Sequence, residues 1–283
     1  MREKANQKNL KWISLIVGTF IGFGLIVYFL PLGDIYRAIK EISLKSLVLG
    51  LFLYTLSYIF RTWRWKYYYP SVSFNYLFFT TAVNTLFNNL LPARLGESSI
   101  FLLLKKYDSS LKETVKKFLK VRLLDGFSLL TLLTFSVFYL KINPLVGTIL
   151  ALLIYPLGVS VLNLTSKVWK KIPSLQIELL PFLLSLGNLI SKLLAVYIVL
   201  DFLHIGFIKF IAGFIGGEIS SILPFHSFAG LGSYETAFSA TLKFLFNENF
   251  KEGFKIAFLS HAFLLFASLL LGGISLIALI RKS

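Results

Sequence analysis

Apolar runs recur along the chain, each long enough with its flanks to cross a hydrocarbon core of ~30 Å, which takes roughly 20 helical residues. They cover Trp12 to Pro31, Ser46 to Phe60, Leu123 to Leu140, Leu145 to Leu162, Leu179 to Leu200 and Phe254 to Ile280. Two further apolar regions, 67–104 and 210–247, are too long for one crossing and carry Pro, Gly and acidic residues at their middle. In the first, residues 95–104 offer about 15 Å of helix at 1.5 Å per residue, which is half a crossing. Both regions predict bent helical hairpins that enter and leave the membrane on one side. The expected fold is an all-α polytopic bundle of six full spans and two broken, re-entrant hairpins.

Composition agrees and removes other classes. In 283 residues, 56% are hydrophobic and 16% aromatic, and the mean hydropathy of +0.76 excludes an ordinary soluble domain. The formal charge of +16 would suggest nucleic acid in a soluble protein, but in a membrane chain basic residues chiefly report topology. With no Cys and only His204, His226 and His261, scattered without metal-ligand spacing, neither a thiolate nor a zinc site is expected. No cofactor is implied. The first run lacks a small-residue cleavage site and reads as a retained span, with the basic N-terminus on the cytoplasmic side of the cell membrane.

Counting alternately from there, Arg61 to Lys66, Lys105 to Arg122, Lys167 to Lys171 and the C-terminus fall inside. Inside segments then hold 19 Lys and Arg and outside segments 8, leaving Arg94 and Lys192 at membrane depth. Both termini are expected in the cytoplasm. The order span, span, hairpin, span occurs twice, over about 12–140 and 145–280, and three crossings per half make the second half inverted. Pro92 and Pro224, the two expected vertices, lie 132 residues apart.

The hairpins read NNLLPARLGESS from Asn88 and ISSILPFHSFAGLGSYE from Ile219. Pro removes a backbone donor and Gly permits reversal, so Asn88, Pro92, Gly96, Pro224, Gly230 and Gly232 mark the broken backbone. Such backbone is tolerated at membrane depth where protein or water covers it. An ionised side chain there costs ~3 kcal/mol on insertion scales and needs a partner or a function. Arg94 suits a phosphate, because its planar fork matches phosphate geometry; the alternative is an ion pair with Glu97. Lys192 is a second phosphate contact or a snorkelling or paired Lys. Glu97 and Glu235 read as coupling or charge-balance groups, or as pairing and capping residues. Glu218, after the close-packing pattern Gly213-x-x-x-Gly217, belongs with them but leans structural. Arg122 and Asp125, i and i+3 on one helix face, read as a structural pair. Ser110 to Glu113 resembles a capping box ahead of a basic helix start. His261 reads as a proton-linked group or a hydrogen-bonded core residue. The aromatics from Trp63 to Tyr69, and Trp169, read as interfacial belts.

Taken together, Asn88-x2-Leu91-Pro92-x-Arg94-x-Gly96-Glu97, Arg122-x2-Asp125, and Leu223-Pro224 with Gly230-x-Gly232-x2-Glu235 resemble the flippase-like transmembrane domain of the lysylphosphatidylglycerol synthase family, over about 12–280. The resemblance implies a single transmembrane domain spanning the chain that moves lipids or lipid-linked intermediates between leaflets. The family's aminoacyl-tRNA-dependent transferase domain is not expected before the chain ends at Ser283. Val121 and His261 depart from the family pattern, which has Glu and Arg there. The expected function is flipping of a phospholipid or polyprenyl-phosphate-linked lipid by a non-enzyme, with membrane lipids as partners and no nucleic acid. Two alternatives stand beside it, a membrane enzyme and an anchor for a separate glycosyl or aminoacyl transferase; self-association stays open.

Overall fold

Ser and Asn side chains start most of the long helices. In each case the side-chain oxygen accepts an otherwise unsatisfied first-turn N–H. Ser43 receives Ser46 N–H at 3.0 Å, Ser73 receives Tyr76, Ser110 receives Glu113, and Asn249 receives Lys251 at 2.9 Å. The computed structural model describes residues 24–25, 28–29, 32–91, 96–108, 110–168, 177–222 and 228–281. Among them are ten α-helices and no strand. These are α1 (Leu32–Glu41), α2 (Leu44–Tyr68), α3 (Phe74–Leu90), α4 (Ser98–Leu104), α5 (Leu111–Lys141), α6 (Pro144–Val168), α7 (Leu179–Val199), α8 (Phe207–Ile222), α9 (Ser233–Phe246) and α10 (Phe250–Ile280).

Five of them, α2, α5, α6, α7 and α10, are long and apolar enough to cross a membrane. The sixth expected span, Trp12 to Pro31, lies almost wholly outside the described residues. Their outer faces carry the exposed large apolar side chains, such as Phe52, Leu152, Val161 and Ile274, as lipid contact requires. Several buried Ser and Thr hydroxyls instead bond carbonyls of their own helix, as Thr62 does to Tyr58, Ser128 to Leu124 and Ser260 to Ile256, which satisfies them without water.

Each broken region holds two helices packed on each other, α3 on α4 and α8 on α9, while the expected vertices Pro92 and Pro224 lie outside the described residues. In the first, α3 ends at Leu90 with Leu91 as its extended C-cap, and α4 covers the seven residues from Ser98. In the second, α8 and α9 flank a 3₁₀ turn at Phe228–Gly230. Gly230 and Gly232 there take φ of 73° and 84°, left-handed values that a Cβ disfavours. Their arms close on each other because Gly213, Gly216 and Gly217 leave room for Phe238, Thr241 and Tyr234; a Cβ on any of the three would stand 2.7 Å or less from those side chains. The Gly213-x-x-x-Gly217 pattern thus packs hairpin arm against hairpin arm.

Between halves, α2 packs on α7, α3 on α10 and α5 on α8. Gly50 allows the first of these, since a Cβ would stand 2.3 Å from Val199 Cγ2. The main core, around Phe210, Phe214, Phe238 and Val196, gathers side chains from α2, α7, α8, α9 and α10.

Two local expectations need correction. The span expected over Ser46 to Phe60 does not stop there, because nothing from Arg61 to Lys66 breaks a helix and α2 runs on to Tyr68. Nor are the aromatics from Trp63 to Tyr69 all interfacial. Trp63 and Tyr67 are exposed, but Trp65 and Tyr69 are buried with Leu77, Ile100, Leu104 and Val121, where the returning first hairpin covers one face of α2. Trp169 lies outside the described residues.

A cation-lined cavity between the hairpins

Helical spacing puts charges of four helices on one central space. Arg61, Arg64 and Trp65 share a face of α2; Arg122 and Asp125 point in from α5, Lys192 from α7 and Glu218 from α8. Together with Asn84, Thr85 and Asn88 of α3 they line a cavity of about 130 Å³.

Opposite charges meet in two groups. Arg64, 2% exposed, donates from Nη1 to Asp125 Oδ1 and, at 2.5 Å, to Ser185 Oγ. Arg122 stands between two acids, with Nη2 bonded to Glu97 Oε1 at 2.7 Å and Nη1 3.6 Å from Asp125 Oδ2. On the facing side, Lys192 Nζ donates to both carboxylate oxygens of Glu218, at 2.7 and 2.8 Å. These are charge-assisted contacts at short range, the strong kind. The expected Arg122 and Asp125 contact is present, as one link of a longer chain.

A smaller cavity of about 80 Å³ adjoins it, sharing Asn88, Asn89 and Ser221 and adding Gly230, Ser233, Tyr234 and His261. Behind it Glu235 is fully buried. One of its oxygens accepts Gly232 N–H at 2.7 Å, capping α9, and the other lies 2.8 Å from His261 Nδ1. The Tyr234 ring packs 4.8 Å from the imidazole. Capping and pairing are therefore both realised in Glu235, whatever else it does.

A family model described as the lysylphosphatidylglycerol synthase TM region matches residues 12–272. The chain belongs to this family. No curated protein matches it. As a member of the lysylphosphatidylglycerol synthase TM family with five candidate spans, it is a multi-pass membrane protein of a family that acts on lipids.

Within this family member, the residues marked from the sequence divide by place. Asn88, Arg122, Asp125, Lys192 and Glu218 line the central cavity, and Glu97 reaches it through Arg122. Gly96 holds the first hairpin closed. Its carbonyl accepts Asn84 Nδ2 at 3.0 Å, and a Cβ would lie 2.2 Å from Asn88 N. Gly230, Gly232, Glu235 and His261 belong to the second cavity and its wall. Arg94, Pro92, Leu223, Pro224 and His226 lie outside the described residues. The sequence assigns Arg61 and Arg64 to a cytoplasmic edge and not to a site. The available signal was the spacing Arg61-x-x-Arg64-Trp65 without a helix breaker, which continues one helix face.

At the start of α5, Asp108 ties three segments. Its Oδ2 accepts Tyr69 Oη at 2.6 Å and Thr114 Oγ1 at 2.8 Å, and its Oδ1 accepts Lys117 Nζ at 2.5 Å. Burial pushes the carboxyl up, but the bonds from Lys117, Tyr69 and Thr114 outweigh it and hold the group below its ordinary 3.8. A depressed folded value stabilises the fold above the unfolded value and loses that contribution as pH falls through the folded one. Asp108→Asn should cost about 1 kcal/mol near neutral pH. Melting in detergent should show the gap to wild type narrowing as pH drops below 3.8; a gap constant down to about pH 2 would contradict this.

Proposed function

We propose that the chain translocates a phospholipid or polyprenyl-phosphate-linked lipid between leaflets. The phosphate enters the central cavity while acyl or prenyl chains stay in the bilayer. The observation that carries this is the cavity itself, where Arg61, Arg64, Arg122 and Lys192, carried on helices of membrane-crossing length, outnumber the lining acids Asp125 and Glu218 even with Glu97, bound to Arg122, counted among the acids. Such a site favours a negative head group over a neutral or cationic one.

In this reading Arg94 and Lys192 take part in holding the phosphate. Lys192 would exchange one Glu218 contact for a phosphate oxygen. Glu97, Glu218 and Glu235 balance or couple the charge, and the broken backbone around Asn88, Pro92, Gly96, Pro224, Gly230 and Gly232 shapes the cavity. The reciprocal packing of α3 on α10 and α5 on α8 supports an inverted repeat, whose two hairpins would expose the cavity alternately. The chain would act without catalysis, in the cell membrane with both termini cytoplasmic, beside a separate transferase where the lipid is made or modified.

Proteoliposomes carrying a head-group-labelled anionic lipid test this with a membrane-impermeant quencher. Wild-type vesicles should lose signal beyond the outer-leaflet share seen in protein-free vesicles, and Arg94→Ala should slow that loss. Equal accessibility in wild-type and Arg94→Ala vesicles would refute the mechanism.

A further inference from the structure

The four basic residues lining the central cavity are not equivalent. Arg64 is engaged by Asp125 and Ser185, Arg122 by Glu97 and Asp125, and Lys192 by both oxygens of Glu218. Arg61 differs. Among the described residues no carboxylate stands within ion-pair distance of it. Its Nη1 donates to Thr85 Oγ1 at 2.5 Å and its guanidinium lies 5.6 Å from the centre of the Tyr58 ring; its Nε, like that of Arg64, is buried without a hydrogen-bond partner among the described residues. The hydroxyl and the ring fix the plane of the group without neutralising it.

Seven residues before the C-terminal end of α2, Arg61 sits about 10 Å along the helix from Tyr68, within a candidate span. A cation placed there costs ~3 kcal/mol on insertion scales unless something compensates it. With Nη1 held by Thr85, the Nε and Nη2 edge of the fork remains, the edge that can donate two parallel bonds to one phosphate. Asn188 of α7 lines the same cavity, 6% exposed, with Oδ1 also unpartnered among the described residues. Its amide can turn to present nitrogen instead, adding a neutral donor.

We propose that Arg61 is the resident ligand of a phosphate-type oxyanion in the central cavity, with Asn188 as its neutral companion. The ligand chemistry is a tetrahedral phosphate presenting two oxygens to one guanidinium edge, carried by a lipid head group or by free inorganic phosphate. The assignment rests on the reading that this cavity receives lipid phosphate and names the residue that grips it. The ion-paired Arg64 and Arg122 position the cavity wall, whereas Arg61 makes a phosphate contact beside those given to Arg94 and Lys192.

Full-length wild type, Arg61→Ala, Arg61→Lys, Arg61→Gln and the loop-facing control Lys209→Ala, purified in detergent, are titrated with phosphatidylglycerol and separately with inorganic phosphate. Binding is read by native mass spectrometry for the lipid and calorimetry for the ion. Loss of a charge-assisted contact should weaken binding about tenfold or more in Arg61→Ala. Arg61→Lys should recover only part of it, since an ammonium keeps the charge without the fork, and Lys209→Ala should match wild type. If Arg61→Ala does not fold, Arg61→Gln is read in its place, because its amide can still reach Thr85. Lipid binding that depends on Arg61 assigns the head group as the source; phosphate binding that depends on Arg61, without lipid binding, keeps the ligand and assigns the free ion. Unchanged affinity for both probes in Arg61→Ala and Arg61→Gln would overturn the proposal while wild-type transport in vesicles leaves the flippase reading standing. Failure of wild type to bind either probe or to move lipid would instead bring down that reading, and this one with it.

Discussion

Asp125→Ala is expected to lower unfolding stability in detergent by about 3–5 kcal/mol, the range for removing one partner of a buried pair. Asp125 is the acid that Arg64 and Arg122 share. Without it the almost fully buried Arg64 retains, among the described residues, only Ser185, a neutral acceptor that cannot offset its charge. Arg122 would still hold Glu97, so the cost concentrates on Arg64. Replacing both partners, Arg64→Leu with Asp125→Leu, should recover much of the loss, because no uncompensated charge remains. Denaturant titrations of the three proteins settle it. A single variant within about 1 kcal/mol of wild type would mean that Arg64 does not depend on Asp125.

The second large effect is expected at Glu235. Glu235→Ala leaves Gly232 N–H without its acceptor and His261 without its partner in a fully buried place. The expected destabilisation is about 2–3 kcal/mol. Glu235→Gln separates cap from charge, since its carbonyl oxygen can still receive Gly232 N–H. If Glu235 serves coupling, Glu235→Gln should melt close to wild type yet move lipid at least about tenfold more slowly, with an altered pH dependence. Transport equal to wild type in Glu235→Gln would leave the residue as a cap and an anchor for His261.

How much of this could be read in the sequence depended on range. The presence of long apolar helices follows from run length, though not their limits, since α2 runs eight residues past Phe60 and α5 begins twelve before Leu123; the start of α5 and the second hairpin turn follow from local chemistry. Ser110 and Glu113 made their cap, and Gly230 and Gly232 took the left-handed backbone that a reversal needs. Arg64 shows where such reasoning ends. A basic cluster at the end of an apolar run is the ordinary mark of a cytoplasmic edge. The groups that draw Arg64 inside, Asp125 and Ser185, lie 61 and 121 residues away. Nothing local announces them. The same holds for Trp65 and Tyr69, whose interior placement depends on the first hairpin returning against α2.

The glycine seam of the second hairpin has a mechanical consequence. With Phe238, Thr241 and Tyr234 seated against the backbone of α8, splaying the two arms would forfeit those contacts along the whole seam. The arms are thus expected to move as one paddle that carries Glu218 and Glu235 together. A rigid tilt of such a paddle would strain the Lys192 contact on one side and the His261 contact on the other together, and so would gear the two cavities to each other.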